Sequence, residues 1–219
     1  MDKYILGLAV FICGAVVMIF ELVGSRMLGP YFGTSIFVWT SLIGVILGSL
    51  SFGYYWGGKL ADKKPSFRIL SLVIFAAGIF IGLSALTKDY LLIALQSYIP
   101  DILLASVLAS LALFLPASVF LGMVSPYAAK LKINSLDKSG SIIGNLYALS
   151  TIGSIAGTFL AGFYLIPNFG TNKLLLILPI ILAITSLTLC FKKDVKTRLL
   201  IFVLIIGSGV MTTEQKPYA

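Results

Sequence analysis

The chain has 219 residues, 59% of them hydrophobic and 11% charged, with a mean hydropathy of +1.06. A soluble domain carries about 25% charged and about 45–50% apolar residues, so an ordinary globular protein is excluded. A nucleic-acid binder is excluded too. The net charge of +8, from 16 Lys+Arg against 8 Asp+Glu, has hardly any polar face to occupy. The composition is that of an all-α polytopic membrane protein. Histidine is absent, which removes the usual general acid/base at neutral pH and the commonest metal ligand. Cys13 and Cys190 both lie inside apolar runs and read as small packing residues, not as zinc ligands or a disulfide.

Seven apolar runs follow in order: roughly Tyr4–Glu21, Val38–Trp56, Ile69–Leu86, Ile102–Val124, Ile142–Ile166, Leu174–Phe191 and Leu199–Met211. A span takes about 20 residues and at least about 17. Six runs qualify, and the seventh is either a strained span or an interfacial segment. Tyr90–Ile99, ahead of Pro100, is shorter still and reads as a helix lying on the membrane surface. The first run is not expected to be a cleaved signal peptide, because no small-residue cleavage site follows it and Glu21 interrupts its end. The expected organisation is one transmembrane domain over 1–211 of six to seven helices, with a polar tail over 212–219.

Basic residues set the orientation, since cytoplasmic loops are enriched in Lys and Arg. A cytoplasmic N-terminus in the cell membrane puts Lys3, Lys59, Lys63, Lys64, Arg68, Lys130, Lys132, Lys138, Lys192, Lys193, Lys196 and Arg198 inside. Only Arg26, Lys88, Lys173 and Lys216 are then outside.

The chain also repeats itself. Met27-Leu-Gly-Pro-Tyr31 closes run one as Met123-Val-Ser-Pro-Tyr127 closes run four. Runs two and five then align Ser41 with Ser150, Gly44 with Gly153, Gly48 with Gly157, Gly53 with Gly162 and Tyr55 with Tyr164. The unit is three spans, about 4–86 and about 102–191, with 199–211 as an extra short helix. Three is odd, so the two copies face opposite ways across the bilayer. Inverted three-span repeats of this kind build each half of a major facilitator transporter. Gly44, Gly48, Gly53, Gly153, Gly157 and Gly162 are the expected helix-packing positions, because small residues let backbones approach in lipid.

Several polar residues stand out against this background. Glu21 ends an apolar helix on the same side as Gly14 and Gly7, and Arg26 follows. Charges within spans are costly and mark function or a buried pair. Five residues of unbroken helix separate the two by about 140°, so a break near Gly24-Ser25 or Gly29-Pro30 is needed to bring them together. The other reading is that both are solvated at headgroup level. Asn145, Tyr147 and Ser150 open run five and either line a site or glue helices together. Trp39 is either a site residue or part of the interfacial aromatic belt. Pro116 is expected to kink run four.

The loop Gly57-Gly-Lys-Leu-Ala-Asp62-Lys63-Lys-Pro65 contains the Gly-x-Leu-Ala-Asp core that major facilitators place between spans two and three. Gly58, Asp62, Lys63 and, on the second repeat, Pro126 are the candidate conformational positions. An orientation-setting basic loop is the plainer alternative. No nucleotide-binding loop, nucleophile elbow, paired-carboxylate site or metal-ligand cluster occurs, and no cofactor is expected.

Taken together, Met18-Ile-Phe-Glu21 through Gly33, Val38-Trp39-Thr-Ser41, Gly57–Asp62, Gly122–Tyr127 and Gly144-Asn-Leu-Tyr147 through Thr158 resemble the membrane domain of fused spermidine-synthase-like proteins. These join a major-facilitator-like region to an aminopropyltransferase-like domain. The resemblance covers about Gly14 to Gly170 and implies a polyamine connection. The catalytic aspartates and nucleotide-binding glycines of the synthase part have no counterpart here, so catalysis by this chain alone is not expected. Three functions follow from the resemblance and the residues. The first is a module that handles or transports a small organic cation, with Glu21 as counter-ion and a homodimer enclosing the path. The second is a scaffold that docks a separate aminopropyltransferase-like subunit through Lys59–Arg68 and Lys130–Lys138. The third and weakest is a membrane enzyme acting on a lipid or peptide.

Overall fold

The computed structural model describes residues 2–133 and 139–189. Its elements are α1 (Asp2–Phe32), α2 (Ile36–Lys63), α3 (Phe67–Tyr98), α4 (Ile102–Lys132), α5 (Ser139–Leu160), a π-helical turn (Ala161–Leu165) and α6 (Ile166–Leu189). No strand occurs among the described residues. The run Leu199–Met211, the tail 212–219, Cys190 and residues 134–138 of the basic loop lie outside them.

Five helical stretches are long and apolar enough to cross a membrane: Tyr4–Phe32, Ile36–Lys63, Phe67–Tyr98, Ile102–Lys132 and Ser139–Leu189. The last, at 51 residues, is interrupted where Gly170 adopts φ 72 and ψ 166, outside helical space. Only glycine adopts this left-handed, extended conformation without a steric cost. The connections from α1 through to α4 are short and built from helix-stopping residues. Gly33, with φ 78, turns the chain out of α1. Ser66, after Pro65, caps α3 by accepting the Arg68 N–H, and Asp101, after Pro100, caps α4 by accepting that of Leu103 at 2.9 Å.

Two expectations are corrected. Helix α1 runs unbroken through Gly24, Ser25 and Pro30, because intrahelical bonds carry an isolated glycine or a proline near a helix end. Glu21 and Arg26 therefore stay about 140° apart. Tyr90–Ile99 is no separate surface helix but the last turns of α3. Nothing between Thr87 and Tyr98 breaks the helix, and Lys88 is buried rather than presented to water. Helix α4 continues through Pro116 and Pro126. Next to the turn that Pro116 deprives of a donor, Ser84 of α3 donates its hydroxyl to the Leu113 carbonyl at 2.5 Å. A neighbouring serine is a usual way for a spanning helix to tolerate proline.

In lipid there is no hydrophobic force between helices, so packing and interhelical hydrogen bonds must hold them. Helix α2 lies along α4, and α5 lies along α1. Gly57 sits so close to Met123 that a Cβ would stand 2.6 Å from its Cα, and one on Gly157 would stand 2.5 Å from the Ala15 carbonyl oxygen. Gly53 abuts the Val119 carbonyl and Gly122, and Gly153 abuts the Phe11 carbonyl. Both pairs run parallel, with glycines one turn apart meeting carbonyls one turn apart. Serines add hydrogen bonds between helices. Ser41 bonds Ser106 at 3.0 Å between α2 and α4, and Ser71 and Ser186 donate to each other's carbonyls at 2.9 and 2.8 Å between α3 and α6.

Three glycines expected to pack do not. A Cβ on Gly44, Gly48 or Gly162 would meet nothing within 4 Å, because these residues lie on the outward faces of α2 and of the π turn. A larger residue at a contact glycine forces two backbones apart, at a cost of about 1–3 kcal/mol for overpacking. We expect Gly157→Leu and Gly57→Leu each to lower the unfolding midpoint in detergent, and Gly44→Leu to leave it unchanged.

Candidate functional site

Where the two tight pairs meet, small residues leave a cavity of about 110 Å³. Helix α1 contributes Cys13, Gly14, Val17 and Met18, and α2 contributes Leu50 and Tyr54. From α4 come Leu121, Gly122 and Ser125, and from α5 come Ser150 and Ser154. The cavity follows from the packing just described: glycine contacts pull α2 onto α4 and α5 onto α1, but α2 and α5 do not pack on each other. Its walls are polar and apolar in about equal measure, and hydroxyl-bearing residues come from three of the four helices. Ser154 donates to the Gly14 carbonyl at 3.1 Å, which fixes α5 against α1 beside the cavity.

Of the residues expected to bind substrate, Ser150 lines this cavity. Glu21 is half-buried on α1. It lies about 20° around the helix from Gly14 and within about 60° of Val17 and Met18, roughly one turn further along. Among the described residues it takes no hydrogen bond or ion pair. Arg26 is exposed on another face of α1. Trp39 is half-buried in the first turn of α2, far along that helix from Leu50 and Tyr54. Asn145 is exposed. Tyr147 is exposed too.

At the end of the bundle where α2 and α4 finish, Asp62 pairs with Lys130 at 2.8 Å. Both side chains are well exposed, so the pair is worth about 0–1 kcal/mol. Lys63 is exposed, Gly58 is half-buried with open space over it, and Pro126 is half-buried in α4. The stronger tie is the residue after it. Tyr127 is fully buried, donates to the Lys64 carbonyl and accepts the Ser66 N–H at 3.1 Å. One side chain thus closes the whole α2–α3 connection.

At the opposite end, Tyr31 donates to Asp89 Oδ1 at 3.0 Å, and the buried Lys88 Nζ meets the same oxygen at 2.7 Å. This links the end of α1 to α3. The two tyrosines were visible in the sequence as the last residue of the repeated Pro-Tyr pair, but nothing there named their partners. Tyr54, Ser125 and Ser154 escaped notice as site residues. The available signal was one-turn spacing: Ser150 to Ser154 on the glycine face of α5, and Gly122 next to Ser125 on α4. No group of three or more His, Cys, Asp or Glu side chains that could hold a metal occurs among the described residues.

Comparison with known proteins brings in a distant relative. The chain is 23% identical over 185 residues to polyamine aminopropyltransferase 1 of Streptomyces coelicolor, a match over 84% of this chain and 33% of the relative. The chain thus spans about a third of the length of the curated relative it matches. No family model matches the chain, and no solved structure matches it. The similarity links an all-helical, membrane-like chain to the spermidine-synthase-like proteins.

The Tyr127 clamp is open to test. Tyr127→Phe removes two part-buried hydrogen bonds, each worth about 0.5–1.5 kcal/mol. Limited trypsin digestion should then cut the Lys63–Lys64 bond several-fold faster. An unchanged rate would mean that the connection is held by its caps alone.

Proposed function

We propose that this chain is a membrane module of polyamine metabolism that seats a small organic cation in the cavity between α1, α2, α4 and α5. The carrying observation is that cavity: a lining of mixed polarity with hydroxyl-bearing Tyr54, Ser125, Ser150 and Ser154, and an unpaired half-buried carboxylate one turn away along α1. The name of the matched relative supplies the substrate class. A water's share of liquid volume is about 30 Å³, so the space takes a slim aminoalkyl chain and is too small for a nucleotide. An ammonium group would pair with Glu21 and donate to Ser125 and Ser150. Methylenes would lie against Val17, Met18, Leu50 and Leu121.

The same reading takes the chain as six crossings in two inverted units resembling half of a facilitator, N-terminus cytoplasmic. The helix pairing supports it, since exchanging the first three helices for the last three turns the α2–α4 pair into the α5–α1 pair. At about 1.5 Å per residue, Ser139–Leu189 would be about 76 Å long against a hydrocarbon core of about 30 Å. The Gly170 break supports two crossings there. Asp62–Lys130 and the Tyr127 clamp hold one end, Tyr31–Asp89 the other, and a second copy would cover the open side between α2 and α5. The runner-up is a scaffold for an aminopropyltransferase-like subunit, favoured by the two thirds of the relative that lie beyond the match.

Uptake of radiolabelled spermidine by proteoliposomes tests the carrier reading. We expect saturable flux that falls at least tenfold in Glu21→Gln and in Ser150→Leu. Normal flux in Glu21→Gln would remove the carboxylate from the seat, and absence of flux in the unsubstituted protein would leave the scaffold reading.

A further inference from the structure

We propose that the end of the bundle formed by α2, α3 and α4 is a binding surface for anionic phospholipid headgroups. It is independent of what occupies the central cavity.

The charge there is one-sided. The last turns of α2 and α4 and the linker between α2 and α3 bring together Lys59, Lys63, Lys64, Lys130 and Lys132, and Arg68 opens α3 at the same end. Among the described residues of these segments the acid is Asp62, and it is already taken by Lys130 at 2.8 Å. Lys63, Lys64 and Lys132 have neither hydrogen bond nor ion pair through their amines among the described residues. Such a surface complements an anion, and clusters of this kind beside a spanning helix attract acidic lipids.

The geometry of α2 identifies the anion as a lipid rather than an acidic protein. Phe52, Tyr55, Trp56, Lys59 and Lys63 share one face of the helix, since they recur at three- and four-residue intervals. Phe52, Tyr55 and Trp56 are more than half exposed on it. Phe52 and Trp56 pack side by side as a tilted pair, with ring centroids 6.3 Å apart. The Lys59 amine folds back onto Tyr55: it donates to the Tyr55 hydroxyl at 2.5 Å and stands 4.2 Å from the Tyr55 ring centroid. The face therefore passes within two turns from bare aromatic surface to amines, and the first amine leans towards the aromatic side. Aromatic rings followed by ammonium groups match the order of acyl boundary and phosphate in a bilayer leaflet. A soluble acidic partner would meet the amines and leave the aromatics uncovered.

The chain holds two tryptophans, Trp39 and Trp56, so Trp39→Phe leaves a reporter within the proposed surface. In vesicles of phosphatidylcholine with increasing brominated phosphatidylglycerol, quenching of Trp56 gives the affinity for the anionic lipid relative to the zwitterionic one. We expect a preference of about fivefold or more, weakening as salt is raised. Replacing Lys59, Lys63, Lys64 and Lys132 together by Gln should bring the ratio close to one. The same four as Arg should retain it, and Lys173→Gln, elsewhere in the chain, should not change it. A ratio near one in the Trp39→Phe protein, or one that survives the four glutamines, overturns the proposal. Binding of soluble polyglutamate at the same lysines, without any preference for the anionic lipid, would assign the surface to an acidic protein instead and would equally overturn it.

Discussion

Close approach of helix backbones through glycine is the constraint on which the rest of this structure depends. In water a bundle is held by burying apolar side chains; in lipid that force is absent between helices. What remains is van der Waals contact, which falls off steeply with distance. Gly53 and Gly57 on α2, Gly122 on α4, and Gly153 and Gly157 on α5 bring backbone against backbone. Two parallel helix pairs result, and each pair fixes a register that serine hydroxyls then reinforce. Ser41–Ser106 does this for α2 and α4, and Ser154 to the Gly14 carbonyl for α5 and α1.

The cavity is a consequence of the same choice of residues. A helix packed through glycine presents little side chain near the contact, so four such helices cannot fill the space where the pairs meet. Leucine at Gly14 or Ser150 would fill it, and the chain places small residues there instead. The residues that hold the bundle and those that leave the space are therefore neighbours on the same helix faces: Gly153 beside Ser150 and Ser154, Gly122 beside Ser125. Stability and vacancy come from one pattern.

Membrane class and the main helices were legible because hydropathy over about 20 residues is a strong, local signal. Helix ends were less so. Hydropathy ends runs one and three at Glu21 and Leu86, where charge appears. The helices continue to Phe32 and Tyr98 because a single charge does not break a helix whose neighbours can bury or pair it, as Asp89 does for Lys88. The glycines were legible as a class but not one by one. Aligning the two repeats pairs Gly44 and Gly48 with Gly153 and Gly157, yet on α2 the contacts fall to Gly53 and Gly57, because which face of a helix meets a neighbour is set by the whole bundle. The Tyr127 clamp could not be read at all. Its partners are the Lys64 carbonyl and the Ser66 N–H, backbone groups that carry no signature in a sequence.

Glu21 is where helix geometry, charge and cavity meet. A charged residue in a spanning helix costs about 2.5–3.5 kcal/mol to insert, and such residues usually find a partner. Arg26 is not that partner, since an unbroken α1 turns it to another face. Neither Lys88 nor Lys130 serves it, because each is engaged with an aspartate of its own. The carboxylate instead shares the side of α1 that carries Gly14, Val17 and Met18, three residues that line the cavity. A lone acid on the wall side of a small, hydroxyl-bearing space is stabilised by whatever positive group enters that space. The placement of one carboxylate therefore weighs more heavily towards a cation seat than the number of spans or the pattern of glycines, both of which a passive anchor would share.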